Sequence, residues 1–259
     1  MMNTVNALAI NQLSYHYRDG HTALDNVTFT VKHGERLGLI GPNGAGKSTL
    51  LQHLNGLLPD SMPKKPKDAV IHVYDRPVIS DELGKIRADV GLLFQDPDDQ
   101  LFCPTVWEDV AFGPQQLSLD KNEISRRVTD ALNAVGLSGY EKRLPHHLSR
   151  GEKHRVCLAG ILACDAKILA LDEPTSHLDP RGRREFKKLL KSLAITQIIA
   201  SHDLDMVAEI CDRVIVLDQG RIVAFGATLD ILGDEELMLK HGLEKPHFLS
   251  HHHPHSFNK

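Results

Sequence analysis

The chain has 259 residues, 41% apolar and 25% charged, enough for a sizeable globular core, and its formal net charge of −4 does not predict a general polyanion binder. Because the sequence lacks a basic leader and an apolar run of about 18 residues, we expect neither a signal peptide nor a membrane span. Without a C-x-x-C pair, the four cysteines are expected to be buried thiols rather than disulfide partners or zinc ligands: Cys103, Cys157, Cys164 and Cys211.

The predicted elements begin with strands. Residues 27–31 alternate apolar and polar side chains, which predicts an antiparallel strand, and residues 36–40 form a short apolar strand before a glycine-rich turn. A helix is expected to follow this turn. Its apolar stripe comprises Leu51, Leu54 and Leu58. Residues 59–68, rich in proline and lysine, predict a loop, and residues 70–74 and 90–94 predict further strands.

The middle of the chain has a helical pattern. Residues 119–135 predict an amphipathic helix that ends at Gly136, and a second helix is expected to begin at Ser149. Residues 168–171 and 197–200 then predict two buried strands.

A hairpin is predicted near the end, where residues 213–217 and 221–225 flank an Asp-Gln-Gly turn. Strands that alternate with helices predict an α/β fold with a largely parallel sheet. We therefore predict an α/β core, an antiparallel N-terminal β portion, and an inserted α-helical subdomain at about residues 97–162.

The turn after residues 36–40 matches the phosphate-binding pattern G-x-x-x-x-G-K-[ST] between a predicted strand and a predicted helix. Its glycines let backbone N–H groups surround phosphate oxygens, Lys47 can reach the β- and γ-phosphates, and Ser48 can ligate Mg²⁺. The alternative is a glycine-rich turn with a chance lysine. The expected nucleotide contacts are Gly41, Pro42, Asn43, Gly44, Ala45, Gly46, Lys47, Ser48 and Thr49.

Two acids end the predicted strand at residues 168–171. Burial of this strand places Asp172 and Glu173 at its carboxyl edge, where ligands of α/β proteins bind. Asp172 can hold Mg²⁺, and Glu173 is then free to activate water as a general base. The alternative is a solvated acid pair.

The sequence Leu-Ser-Arg-Gly-Glu-Lys, which starts at Leu148, resembles the L-S-G-G-Q signature of ABC ATP-binding cassettes. In that family the signature contacts ATP held by a partner cassette, which implies this role for Ser149, Gly151 and Glu152. The chain departs from the pattern at Arg150 and Glu152. Ser149 and Glu152 also match a capping box, which by itself explains a helix start, and both interpretations can hold together.

Other motifs of the same family occur in the family's order. The resemblance implies that Gln95 senses Mg²⁺ and the attacking water, that Asp179 belongs to the D-loop, and that His202 contacts the γ-phosphate. It also implies that Tyr17 stacks on adenine, with Tyr15 as the nearest rival. The Mg²⁺ ligands would then be Ser48, Gln95 and Asp172.

Residues 94–102 and 104–114 are similar to the segment after the Q-loop in energy-coupling factor transporters, and most of all to the cobalt and nickel importer ATPases. In those proteins the segment lines a groove that receives a coupling helix of the membrane subunit. The alternative is an ordinary loop that enters a helix.

We expect an ATP-binding domain at residues 5–240 and a flexible histidine-rich tail at residues 241–259. Imidazoles of such a tail can bind Ni²⁺ or Co²⁺, although an expression tag or a solvated tail would look similar. The tail histidines are His247, His251, His252, His253 and His255.

The phosphate loop and the resemblance thus imply that the α/β core is a P-loop core of the RecA-like type. They also imply an ATPase that pairs with an identical or different cassette on integral membrane subunits at the cytoplasmic face of the cell membrane. We expect this ATPase to use ATP and Mg²⁺ and to bind no nucleic acid. It would power the uptake of cobalt, nickel or another micronutrient. The main rival is a soluble ABC ATPase that acts on nucleic acid or ribosomes, which the lack of a coiled-coil insertion and a basic stripe disfavours. A P-loop kinase or GTPase is disfavoured by the signature and by His202.

Overall fold

The strands gather in two sheets. The computed structural model describes residues 6–59, 61–244 and 246. Its strands are β1 Asn6–His16, β2 Thr22–Lys32, β3 Arg36–Ile40, β4 Ile71–Val73, β5 Arg76–Pro77, β6 Val90–Leu93, β7 Ile168–Asp172, β8 Thr196–Ala200, β9 Arg213–Asp218 and β10 Arg221–Ala227. Its helices are α1 Lys47–Leu54, α2 Leu83–Asp89, α3 Val106–Gln116, α4 Lys121–Ala134, α5 Arg150–Ala163, α6 Pro180–Ser192, α7 Leu204–Ile210, α8 Thr228–Gly233 and α9 Glu235–Lys240.

The larger sheet has the strand order β10-β9-β3-β8-β7-β6 within the described residues. Its pairs are parallel except for the β9–β10 hairpin. Parallel strands require crossover connections, which the intervening helices provide. Because the carboxyl ends of β3, β6, β7 and β8 meet at one edge, the four segments that follow them are brought together there.

Both faces of this sheet are covered, as the near-continuous apolar strands require. In β7, Ile168 and Ala170 pack on one side with α1 and the smaller sheet, whereas Leu169 and Leu171 pack on the other side with α5 to α7. The smaller sheet is antiparallel, with the order β2-β1-β4-β5 in the described part of the chain. These findings agree with the predicted P-loop core and N-terminal antiparallel portion.

Helices α3, α4 and α5 pack on one another beside the larger sheet. Their contact faces are apolar and include Val106 and Val110 from α3, Val128 from α4 and Val156 from α5. All three helices lie in or within one residue of the range for which a helical subdomain is predicted.

The helix predictions for the middle of the chain are confirmed within two residues. Helix α4 ends at Ala134, and Gly136 adopts a φ of +73°, which accommodates the left-handed turn of a Schellman motif. Helix α5 begins after Ser149, which caps it.

One detail of the first helix is wrong. Leu51 and Leu54 are buried in α1 as predicted, but α1 ends at Leu54, so Leu58 does not belong to its stripe. The reason is Gly56, whose φ of +68° closes a Schellman motif in which the Leu57 N–H donates to the Gln52 carbonyl.

The prediction that all four cysteines are buried is also wrong in part. Cys157 and Cys211 are buried, whereas Cys103, in the loop before α3, and Cys164, at the end of α5, are partly exposed. Burial still raises the pKa of the Cys164 thiol to about 11. Among the described residues, none of the helices combines the length and apolarity needed to cross a bilayer. The histidines of residues 247–255 lie outside the described residues.

Candidate active site

A cavity of about 300 Å³ opens at the carboxyl edge of the larger sheet, within the size range of small-molecule sites. It brings together residues from the segments that follow β3, β6, β7 and β8, together with the hairpin between β1 and β2. Its lining residues are Tyr17, His21, Ala23, residues 43–49, Gln95, Asp172, Glu173 and His202.

The loop between β3 and α1 can be built only with glycine at two positions. Gly46 has a φ of +103°, and a Cβ there would lie 2.3 Å from the carbonyl oxygen of Ala23. A Cβ on Gly41 would lie 2.0 Å from the carbonyl oxygen of Leu217. The loop is therefore pressed against its neighbours and directs its free side into the cavity.

Lys47 is buried and crosses this loop. Its Nζ donates to the carbonyl oxygens of Gly41 at 2.8 Å and Pro42 at 2.9 Å. Burial lowers the pKa of Lys47, although the carboxylates of Glu173 and Asp172 oppose that shift. The ammonium group is thus a positive charge poised at the loop, where anionic phosphate would be attracted.

Asp172 ends β7 and is 9% exposed. Burial raises the pKa of its carboxyl group, against the hydrogen bond donated by Ser48 and the charge of Lys47. The oxygens of Asp172, Ser48 and Gln95 line one cavity and are the hard ligands that Mg²⁺ prefers, and Mg²⁺ commonly takes only one or two protein carboxylates. The residues present therefore fit that ion.

Glu173 lies next to Asp172 in an unusual backbone conformation, with a φ of +46°. Its Oε2 accepts a hydrogen bond from the His202 N–H at 3.3 Å and from the Ser201 hydroxyl at 3.4 Å. Its Oε1 is buried and has no hydrogen-bond partner among the described residues. Burial raises the pKa of this carboxyl group, as expected for an acid that lacks full solvation. An unsatisfied oxygen beside the cavity can accept a proton from water.

His202 joins the lysine to this glutamate. Its Nε2 lies 3.4 Å from Lys47 Nζ and 3.5 Å from Glu173 Oε1. Burial, and then the Lys47 charge, lower the pKa of the imidazole. A neutral imidazole at this position can exchange hydrogen bonds with either neighbour.

The aromatic candidates are separated by the structure. Tyr17 lines the cavity, and its hydroxyl lies 2.8 Å from Thr49 Oγ1 in the first turn of α1. Tyr15 does not line the cavity and instead contacts His53 edge to face at 4.7 Å. Sequence reasoning missed His21, which also lines the cavity. The available signal was the hairpin between β1 and β2, which places His21 opposite Tyr17.

The residues of the signature lie elsewhere on this chain. A second cavity, of about 680 Å³ and called the signature cavity below, is lined by Ser149, Gly151, Glu152 and Asp179. The capping box is present, since the Glu152 N–H donates to the Ser149 hydroxyl oxygen at 3.4 Å and the Ser149 N–H donates to Glu152 Oε2 at 2.8 Å. The Ser149 hydroxyl also donates to Glu152 Oε2 at 2.7 Å, and the Tyr140 hydroxyl donates to the other Glu152 oxygen at 2.8 Å. The structure therefore does not bring the signature to the phosphate loop within one chain.

Helix α5 is tied to the segment after Gln95. The guanidinium of Arg150 lies 3.0 Å from Asp96 Oδ2, and Lys153 Nζ lies 2.6 Å from Asp98 Oδ1. These two ion pairs, which sequence reasoning missed, connect the start of α5 with the segment that follows Gln95.

A groove of about 340 Å³ runs beside this segment, between β6 and helices α3 and α5. Phe102 and Phe112 stand at its edge with their rings 4.9 Å apart, and they are 67% and 43% exposed. Asp109 lines the same groove, and its Oδ2 is buried without a hydrogen-bond partner among the described residues. An apolar groove with a buried acid can receive an amphipathic helix.

A family model described as ABC transporter matches residues 24–176. The chain is 48% identical over 242 residues to the energy-coupling factor transporter ATP-binding protein EcfA of Methanothermobacter thermautotrophicus, covering 92% of this chain and 76% of that protein. It resembles the structure of cbiO1 from Clostridium perfringens, part of the ABC transporter complex cbiONQ, with a TM-score of 0.77 and 39% identity over 95% of this chain and 98% of that chain. The dimeric post-hydrolysis structure of the ATP-binding cassette MJ0796, bound to ADP and Pi, gives a TM-score of 0.73 and 27% identity over 85% of this chain and 98% of that chain.

Proposed function

Because the chain belongs to the ABC transporter family, in its energy-coupling factor group, we propose that it powers uptake of cobalt or nickel through integral membrane partners. The chain is an ATP-hydrolysing transporter subunit. The hydrolytic mechanism rests on the cavity at the phosphate loop, called the phosphate cavity below. The observation that carries this mechanism is the buried Oε1 of Glu173, which has no hydrogen-bond partner among the described residues and lies 3.5 Å from His202 Nε2.

In the proposed mechanism Glu173 is the general base. A water oxygen attacks the γ-phosphorus, its proton passes to Glu173, and the bond to the β-phosphate oxygen breaks to give ADP and phosphate. The raised pKa of Glu173 suits this task, because a base is most effective when its pKa approaches the working pH. Gln95 orients the water, and His202 contacts the γ-phosphate.

Lys47 and the N–H groups of residues 43–49 hold the phosphates, and Tyr17 holds the adenine. Ser48, Gln95 and Asp172 would hold Mg²⁺, which would supply charge neutralisation at the phosphates. Within this chain, the hydrogen bond between Ser48 and the buried Asp172 carboxylate already holds the oxygens of these two residues close together.

A second cassette, identical or different, completes each ATP site in this proposal. Ser149, Gly151, Glu152 and Asp179 form a cavity of their own, so they can approach an ATP only if it is held by another chain. The N-terminus of α5 supplies N–H groups and a partial positive charge there, while both carboxylate oxygens of Glu152 stay engaged within the chain.

The groove at Phe102 and Phe112 is the proposed docking site for a coupling helix of a membrane subunit, and we infer that the chain works at the cytoplasmic face of the membrane. Support comes from its exposed aromatic edge and its position next to the Gln95 segment. The structural relative cbiO1 is itself described as part of a complex. The choice of cobalt or nickel rests on the similarity of residues 94–114 to importers of those ions.

Glu173→Gln tests the mechanism. The amide keeps the shape but cannot take the proton, so hydrolysis should fall by at least ~10²-fold while ATP binding persists. Glu236→Gln, on exposed α9, is the matched control and should hydrolyse ATP at the parent rate. Hydrolysis by Glu173→Gln at near the parent rate would show that the base is another group.

The transport assignment is tested by purifying the chain from membranes in mild detergent with its associated proteins. The complex is then placed in liposomes, and ATP-dependent uptake of radioactive Co²⁺ and Ni²⁺ is measured with the Glu173→Gln complex as the control. Uptake should require both ATP and Glu173. If membrane subunits co-purify but neither ion is taken up, the proposed solute is wrong. If only ribosomes or nucleic acid co-purify, the transporter assignment is contradicted.

A further inference from the structure

Two aromatic rings face each other across the hairpin between β1 and β2. The Tyr17 N–H donates to the His21 carbonyl at 2.9 Å, so these two residues are cross-strand neighbours. Their rings are nearly parallel, with 14° between the planes, and their centroids are 6.5 Å apart. By contrast, Tyr15 meets Tyr17 at 79° and 5.1 Å, as expected for rings in direct edge contact.

The spacing of Tyr17 and His21 leaves room for a third ring. Aromatic carbons in contact lie roughly 3.5 Å apart, so a flat ring between two others needs about twice that distance, or about 7 Å. The observed 6.5 Å between centroids is within a small adjustment of this value. Aromatic pairs in direct contact have centroids roughly 4.5–7 Å apart, so these two rings lie near the upper limit of that range, and a small movement of either ring would admit a base between them.

The gap belongs to the phosphate cavity. Both rings line it together with residues 43–49, and the hydroxyl of Tyr17 is held 2.8 Å from Thr49 Oγ1. Thr49 lies in the first turn of α1, which directly follows the phosphate loop. The orientation of the Tyr17 ring is therefore fixed relative to the position of bound phosphates, and a base attached to those phosphates can enter the gap.

We propose that His21 forms the second wall of the nucleobase site, so that the purine of ATP stacks between Tyr17 and His21. This proposal rests on the proposed nucleotide site, in which Tyr17 is the first wall. Stacking on an aromatic face accepts any base, but a purine offers the larger surface, so the contribution of His21 is greater for ATP and GTP than for CTP and UTP.

The first test measures nucleotide affinity by calorimetry for His21→Ala, with His16→Ala as the matched control. His16 lies on the same hairpin but does not line the cavity. Loss of one stacking partner should weaken ATP binding about fivefold in His21→Ala. Binding of tripolyphosphate, which has no base, should be unchanged. In hydrolysis assays KM should rise while kcat is maintained, because the base is remote from the γ-phosphate.

A second test adds a stacking partner. His21→Phe should retain ATP affinity, and His21→Trp should respond to ATP by fluorescence quenching. The parent chain contains one other tryptophan, Trp107, which provides the background signal. No quenching on saturation of His21→Trp with ATP would overturn the proposal.

The outcomes separate this proposal from the site on which it rests. If Tyr17→Ala weakens ATP binding but His21→Ala does not, the second wall is refuted and the first stands. If neither variant weakens it, the nucleobase site at this hairpin is refuted altogether. If His21→Ala weakens tripolyphosphate as much as ATP, His21 acts on the loop and not on the base, which also overturns the proposal.

Discussion

At the scale of single residues, the conformation and burial of Glu173 lower the stability of the fold, and the hydrogen bonds from its neighbours offset this only in part. Its backbone has a positive φ, one carboxylate oxygen has no hydrogen-bond partner among the described residues, and burial raises its pKa. Strain and poor solvation of this kind are common where a residue serves chemistry and not stability.

The raised pKa of Glu173 predicts a pH-dependent stability difference. A group whose pKa is higher in the fold contributes stability that is complete below its unfolded value, about 4.3 for glutamate, and that is lost as pH rises through the folded value. Glu173→Gln removes the ionised form and should raise the Tm at neutral pH. Thermal denaturation of the variant and the parent should show that this gain in Tm vanishes below a pH of about 4. A gain in Tm of equal size at every pH would contradict the burial of this charge.

The site residues differ in how readily sequence predicts them. Lys47, Asp172 and Glu173 were found because each belongs to a compact pattern beside a predicted strand. His21 belongs to no pattern. Its position follows from the register of a hairpin, and this register is set by side-chain packing across the β1–β2 pair.

At the scale of elements, α5 joins the signature to the segment after Gln95 through the Arg150–Asp96 and Lys153–Asp98 pairs. The side chains of Arg150 and Asp96 are 41% and 46% exposed, so their pair is expected to contribute at most about 1 kcal/mol. Arg150 thus occupies the usual glycine position of the signature with its charge directed to Asp96.

Arg150→Gly should therefore change ATP hydrolysis by less than about fivefold, and the difference should shrink at high salt. Ser149→Arg is the comparison, because it removes the cap of α5 and places a bulky side chain in the signature cavity. It should abolish hydrolysis. A larger loss in Arg150→Gly than in Ser149→Arg would show that the guanidinium itself contacts phosphate.

Elements with a strong periodic pattern were predicted well, and others were not. Helix α4 has a regular apolar stripe and a glycine stop, and its predicted limits were within two residues. Helix α6 was missed, because it buries only Phe186 and Leu190 among many cations. Its start was readable from Asp179, which caps it, and Pro180 at the first position. The two ion pairs of α5 span more than 50 residues and depend on tertiary packing, so no local pattern predicts them.

At the scale of the whole molecule, the phosphate cavity and the signature cavity are separate. A head-to-tail pair of cassettes then has two ATP sites, each built from one cavity of either kind. This arrangement predicts how two inactive variants behave when they are combined.

Lys47→Ala damages the phosphate cavity, and Ser149→Arg damages the signature cavity. Each variant alone should be inactive, because both of its sites contain the defect. In a mixed dimer one site collects both defects and the other has none, so mixing the two proteins should restore part of the hydrolysis rate. As the control, each variant is mixed with a second sample of itself at the same total concentration, and it should stay inactive. Complete inactivity of the mixture would contradict pairing of this chain with a second copy.

The histidine-rich tail is predicted to bind a transition metal but not to take part in hydrolysis. The general order of divalent metals predicts that the tail binds Ni²⁺ more tightly than Co²⁺. Because the ligand is neutral imidazole, the affinity for either ion should fall as the pH drops below about 6.5. Truncation after Pro246 should abolish Ni²⁺ binding and leave basal hydrolysis intact. Full Ni²⁺ binding by the truncated chain would place the metal elsewhere, and loss of hydrolysis would reveal a structural role.

The separation of the two cavities also has a genetic consequence. If each working site takes half of its residues from another polypeptide, a faulty copy does not merely fail by itself; it also leaves the healthy copy it pairs with in a dimer that has only one intact site. An allele with a damaged signature but an intact fold should therefore lower the activity of cells that also express the parent allele and be partly dominant, whereas an allele that prevents folding should be recessive. In cells whose growth depends on this ATPase, the dominance or recessiveness of each allele would then show whether two copies of the chain share their ATP sites.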